Sequence, residues 1–134
     1  MRIVMRIIFA AAAATLLIAS ATLPSDAVVA GARVSPTRAF DGVWSVTIVT
    51  YLGDCDRSYR YPLRVWAGRV LKVDDDPNYS VAGAVTRSGA IGVTVSGGGK
   101  SASGTGRLRG NAGAGIWHTT NGECSGRWTA ERRE

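Results

Sequence analysis

The chain has one histidine and two cysteines, and beyond Phe40 no stretch of helix length repeats apolar residues at the helical period. Each scarcity excludes a class. His118 alone, with Cys55 and Cys124 available to each other, leaves too few ligands for a zinc site. Without helical periodicity, helical bundles and doubly wound α/β folds are excluded. No nucleophile elbow accompanies the many serines, so neither hydrolysis around His118 nor any other catalysis is expected, and no cofactor is implied. Lysine is scarce as well: Lys72 and Lys100 are the only two, and the remaining basic residues are arginines.

Two segments imitate known motifs and fail them. Ser96-Gly97-Gly98-Gly99-Lys100-Ser101 looks like a phosphate loop, yet Thr94 stands where the first glycine of that motif belongs. The residues after Lys100 alternate like a strand, whereas a phosphate loop needs a helix whose N-terminal amides hold the anion. The segment reads as a hairpin loop with Lys100 pointing to solvent, and nucleic acid is not an expected partner. Asp74-Asp75-Asp76-Pro77-Asn78 opens like a calcium loop but has Tyr79 in place of its glycine and Val85 in place of its closing glutamate. A solvated turn is the simpler reading. Asp54 and Asp56, around Cys55, sit among Arg57 and Arg60 and read as loop ion pairs.

What is present begins with a secretory leader. Arg2 and Arg6 precede an apolar run, Ile7 to Leu23, and a small-x-small site at Ala19-Ser20-Ala21. Cleavage is expected after Ala21, with Ala27 the second candidate, leaving a protein with no membrane span in a secreted or periplasmic location. Residues 1–21 are thus a signal peptide, 22–39 a flexible lead-in and 40–134 the folded domain, expected as a monomer. Two basic residues leave with the leader, lowering the net charge from +6 to +4. Such a surface favours anionic partners. In an oxidising compartment the isolated pair Cys55 and Cys124 reads as one disulfide.

From Phe40 onward, short runs rich in valine, isoleucine, threonine, tyrosine and tryptophan alternate with glycine and asparagine turns. Strands are predicted at 43–52, 59–66, 69–73, 79–85, 90–96, 102–109, 115–119 and 124–132. The class is all-β: a small antiparallel eight-stranded meander forming a closed β-barrel or a barrel-like sandwich. Alternation puts Trp44, Val46 and Ile48 on one inward face, and Cys124, Gly126, Trp128, Ala130 and Arg132 on another. If the last strand lies antiparallel beside the first, Cys55 comes near Cys124 at one end. Arg132 comes near Trp44 at the other, as a cation–π pair.

Glycines Gly104, Gly106, Gly113 and Gly115 recur at spacing two, so something bulky lies opposite them. Either the ring of Trp117 or Trp128 fills that space, or a ligand does. At 59–66 the inward face is taken as Tyr59, Tyr61, Leu63 and Val65, which turns Arg60, Arg64 and Trp66 outward as a patch suited to an anionic glycan or a protein, with Arg107 and Arg109 as an extension.

Asp41-Gly42-Val43-Trp44 resembles the Gly-x-Trp that opens lipocalin and avidin-like barrels, where a final-strand arginine packs over the tryptophan. The resemblance implies that Gly42 and Arg132 are structural. FDGVWSV, GDCDRSYRYP, SASGTGRLRGNAGAGIW and CSGRWTAER together resemble small secreted bacterial β-proteins of unknown function, a resemblance that implies export and the domain boundaries and supplies no activity. The expected function is a non-catalytic binding module. Its ligand is a small molecule held near Trp44, Trp117 and Trp128, or an anionic glycan. The alternative is a protein-facing envelope component, such as an inhibitor of an exported enzyme, that uses the Arg60–Arg64 face.

Overall fold

The computed structural model describes residues 35–134; the leader and the 22–34 part of the lead-in lie outside the described residues. The elements are β1 (Gly42–Leu52), β2 (Ser58–Trp66), β3 (Arg69–Lys72), β4 (Tyr79–Val85), β5 (Ala90–Gly97), β6 (Lys100–Arg109), β7 (Ala112–Thr119) and β8 (Ser125–Arg132). They pair antiparallel in sequence order, and β8 pairs back onto β1, closing an eight-stranded barrel. Closure removes the free edges that β1 and β8 would otherwise expose, which is how so many short strands avoid leaving two unpaired ends of a sheet. In the closing ladder Trp44 faces Arg132 and Ile48 faces Trp128.

Glycine chemistry fixes the tight turns. The β5–β6 turn has Gly98 and Gly99 at φ +59° and +76°, the left-handed backbone that a two-residue hairpin requires. This turn is one residue shorter than the sequence suggests, so β6 starts at Lys100, paired with Gly97. Lys100 therefore shares the inward face of Ala102, Gly104 and Leu108 and stands, still exposed, at the rim of the barrel interior. Lys100 is exposed to solvent, as expected, and at the same time borders the cavity. At Gly42, φ is +140° and a Cβ would collide with the Glu134 carbonyl, so the close approach of the C-terminal residues demands glycine.

The two ends of the barrel differ. At the lower end, Phe40, Trp44, Val65, Val70, Val85 and Leu108 are buried together. Each such side chain contributes about 2 kcal/mol through removal of apolar surface from water. The Trp44 Nε1 donates to the Phe40 carbonyl at 2.9 Å, which holds the incoming chain under the barrel. Arg132 then locks that chain: its guanidinium lies 5.0 Å over the Trp44 ring and donates to the carbonyls of Asp41 (3.0 Å), Ala39 (2.9 Å) and Gly110 (2.8 Å). Asp41 accepts from the Ala67 amide at 2.7 Å and so fastens the same segment to the β2–β3 turn. At the upper end the disulfide Cys55–Cys124 ties the β1–β2 loop to the start of β8 across a sequence separation of 69.

One seam is incomplete. β2 pairs with β3 only over Leu63–Trp66, and β3 pairs with β4 only through Arg69 and Val70. The upper halves of β2 and β4 thus have no ladder between them, because β3 ends at Lys72. The Lys72 Nζ crosses that gap. It donates to the carbonyls of Asp76 and Tyr79 (2.8 Å to the latter) and lies 4.7 Å from the Tyr79 ring centre.

Candidate functional site

An eight-stranded barrel is just wide enough to be filled by its own side chains or to hold one small ligand. Here the side chains on each level decide between the two. In the lower half, large residues meet and fill the space. Above them the inward positions of β5 and β6 are Val93, Val95, Gly97, Ala102 and Gly104, and a cavity of about 470 Å³ remains. That volume lies within the range of small-molecule sites, about 300–1,000 Å³. Trp44, Leu63 and Leu108 form its floor, Trp117 and Trp128 one wall, and Tyr59, Tyr61, Tyr79 and Lys100 its upper rim. Tyr59 and Lys100 are exposed whereas the floor residues are buried, so the cavity opens at the disulfide end, beside the β2–β4 seam.

The glycine row has a definite occupant over most of its length. A Cβ at Gly106 would lie 2.5 Å from the Trp128 ring and one at Gly115 2.7 Å from it. The Trp128 indole therefore lies flat on a bed of glycine, and Gly106 faces that ring. Gly104 alone of the row lines the cavity, with 3.4 Å left between a Cβ there and Trp128 Nε1.

All three interior indole N–H groups are used: Trp44 on Phe40, Trp117 on the Val49 carbonyl at 3.1 Å, and Trp128 on the Thr105 carbonyl at 3.2 Å. Buried donors need such partners. What the tryptophans offer a ligand is apolar surface. At the rim the phenols are the polar groups. Tyr59 and Tyr61 stack with ring centres 5.9 Å apart. Burial pushes the Tyr61 hydroxyl up to about 12, with smaller contributions from Tyr59 and Tyr79. Burial, then Asp56, raises Tyr59; the hydrogen bond to Asp74, first of all, raises Tyr79.

The sequence candidates fall on two sides of the wall. Trp44, Trp117 and Trp128 share the interior, while Arg60, Arg64 and Trp66 face outward from β2, so they form no single site. Trp66 is partly covered: Arg38 from the lead-in stacks 4.9 Å from its ring centre. Arg107 and Arg109 lie on β6, four strands round the barrel from β2, and do not extend that face. His118 is exposed on the outer face of β7, and Asp54 and Asp56 are exposed in the β1–β2 loop, all outside the cavity lining. The rim residues Tyr59, Tyr61, Tyr79 and Lys100 were missed as a group. Tyr59 and Tyr61 were legible as sharing the Leu63 face; Tyr79 and Lys100 needed the exact turn and the ladder that pairs both with Gly97.

Scans against protein-family models, curated proteins and solved structures each return no match. The functional reading therefore rests on the barrel itself.

Proposed function

We propose that this protein is a non-catalytic carrier or receptor that binds one small apolar molecule inside the barrel, in an exported compartment. The cavity of about 470 Å³, apolar except at its rim, supports this reading most strongly. A glycan would need polar partners along its length, and burying its hydroxyls against Val93, Val95 and Ala102 would leave them unpaired at a cost of about 1–3 kcal/mol each. The disulfide fits an oxidising location. Among the described residues no helix is long and apolar enough to cross a membrane. The outward Arg60 and Arg64 are a less specific feature, since scattered surface arginine is ordinary.

The test is a titration of the oxidised protein with N-phenyl-1-naphthylamine, a neutral fluorophore that brightens in apolar surroundings. Saturable enhancement at one site per chain, with energy transfer from the interior tryptophans, is expected. No saturable signal would refute the reading.

A further inference from the structure

The polarity of the cavity is arranged along its length. Its deep part offers no free hydrogen-bond donor, because the indole N–H groups of Trp44, Trp117 and Trp128 are all committed to backbone carbonyls. A polar group placed there would go unpaired. Ligand polarity is therefore tolerated only at the rim.

The cavity lining holds one charged side chain. It is Lys100, and among the described residues its ammonium has no ion-pair partner. The other lysine is committed elsewhere, since Lys72 spans the β2–β4 seam through the Asp76 and Tyr79 carbonyls. Asp74 accepts from the Tyr79 hydroxyl at 2.9 Å and from the Asp76 amide at 3.1 Å, and its carboxylate lies outside the lining. The other loop carboxylates at this end, Asp54, Asp56, Asp75, Asp76 and Glu123, are exposed and lie outside the lining.

The ladder also places Lys100. Tyr79 and Lys100 both pair with Gly97, on either side of it, at about 4.8 Å per strand step. Gly97 lets β4 come close, since a Cβ there would fall 2.7 Å from the Asn78 carbonyl and 3.0 Å from the Tyr79 Cβ, and Tyr79 and Lys100 thereby flank one rim position. The rim thus presents a cation and the hydroxyls of Tyr59 and Tyr61 above an apolar well, the Tyr79 hydroxyl being committed to Asp74.

Resting on the reading of the barrel as a small-molecule binder, we propose that its ligand is a single-tailed amphiphile with one anionic head. Its tail stands against Trp117 and Trp128 and its head lies beside Lys100. Because the ammonium is exposed, it discriminates more than it anchors. Attraction of an anionic head and repulsion of a cationic one each amount to about threefold in affinity at low salt, so the two differ by about tenfold.

The experiment is calorimetric titration of the oxidised full-length exported protein with dodecanoate, dodecanol and dodecylammonium, all below micelle formation, in low and moderate salt. Expected is the order dodecanoate, dodecanol, dodecylammonium, spanning about tenfold and shrinking with salt. Lys100→Met should bring the three to within about twofold of one another, and Lys100→Arg should keep the order. Equal affinities in the wild-type protein, a preference for dodecylammonium, or an order unchanged in Lys100→Met would overturn the anionic head while leaving apolar binding intact. Failure of all three probes to bind would overturn both readings.

Discussion

Arg132, on the last strand, covers Trp44, on the first, at 5.0 Å, and the same guanidinium holds three backbone carbonyls of the segments that cross the lower end. One side chain thus joins barrel closure, the floor of the cavity and the incoming chain. Arg132→Ala should destabilise the fold by about 3 kcal/mol, combining a lost cation–π contact with lost hydrogen bonds to a charged donor. Arg132→Lys should recover part of this, since a lysine keeps the charge but cannot fork to several carbonyls. Urea unfolding midpoints of the three proteins check the order.

The glycine bed under Trp128 makes a second expectation. Gly106→Val has no room without moving the ring, because a Cβ already falls 2.5 Å from it. Overpacking of this kind costs about 1–3 kcal/mol and should shift Trp128 fluorescence. Gly104→Ala, where 3.4 Å is available, should be tolerated with a change below about 1 kcal/mol.

Reducing the disulfide tests the upper end. Closing a loop across a separation of 69 residues restricts the unfolded chain by about 4 kcal/mol on the chain-entropy argument. The double substitution Cys55→Ser with Cys124→Ser should lower stability by that order, and thermal unfolding with and without reductant should agree with it.

Tyr61 gives a pH signature. Its hydroxyl is ordinarily lost near 10 but holds its proton to about 12 in the folded barrel, mainly because burial disfavours the phenolate. The unfolded chain therefore releases the proton first as pH rises. The corresponding stability is fully present below pH 10 and is lost as pH climbs through about 12. Phenolate absorbance at alkaline pH should show a final step near 12, beyond the also raised Tyr59 and Tyr79, that is absent in Tyr61→Phe.

Much of this architecture was legible because period-two alternation is a strong signal when one face is buried. Trp44, Val46 and Ile48, and Trp128 with Ala130, could be placed inward from the letters alone, and β4 could be bounded at both ends. Closure stood beside a barrel-like sandwich as an alternative; the two landmarks at opposite ends, Cys55 with Cys124 and Arg132 with Trp44, agreed with it, and the β1–β8 ladder decides for it. The cavity rim was less legible. A run of three glycines permits a turn of two residues or three, and that choice decides whether β6 starts early enough to bring Lys100 into the ladder opposite Gly97. The end of β3 was legible to within one residue, at 73 against Lys72, from the turn at Asp74–Asn78, but that β3 pairs with β4 only through Arg69 and Val70, which opens the seam beside Tyr59 and Tyr61, has no local marker. The row of small residues announced that something bulky lay opposite, but only packing shows that Trp128 takes Gly106 and Gly115 while Gly104 is left to the cavity.

The most direct test of the account is to fill the cavity. Ala102 lies on the inward face of β6 between Lys100 and Gly104 and lines the empty space. Ala102→Trp should occupy that space, leave the β-sheet circular dichroism unchanged and weaken binding of N-phenyl-1-naphthylamine by at least about tenfold relative to the wild-type protein. A folded Ala102→Trp protein that binds the probe as tightly as the wild type would contradict the claim that this barrel binds its ligand inside.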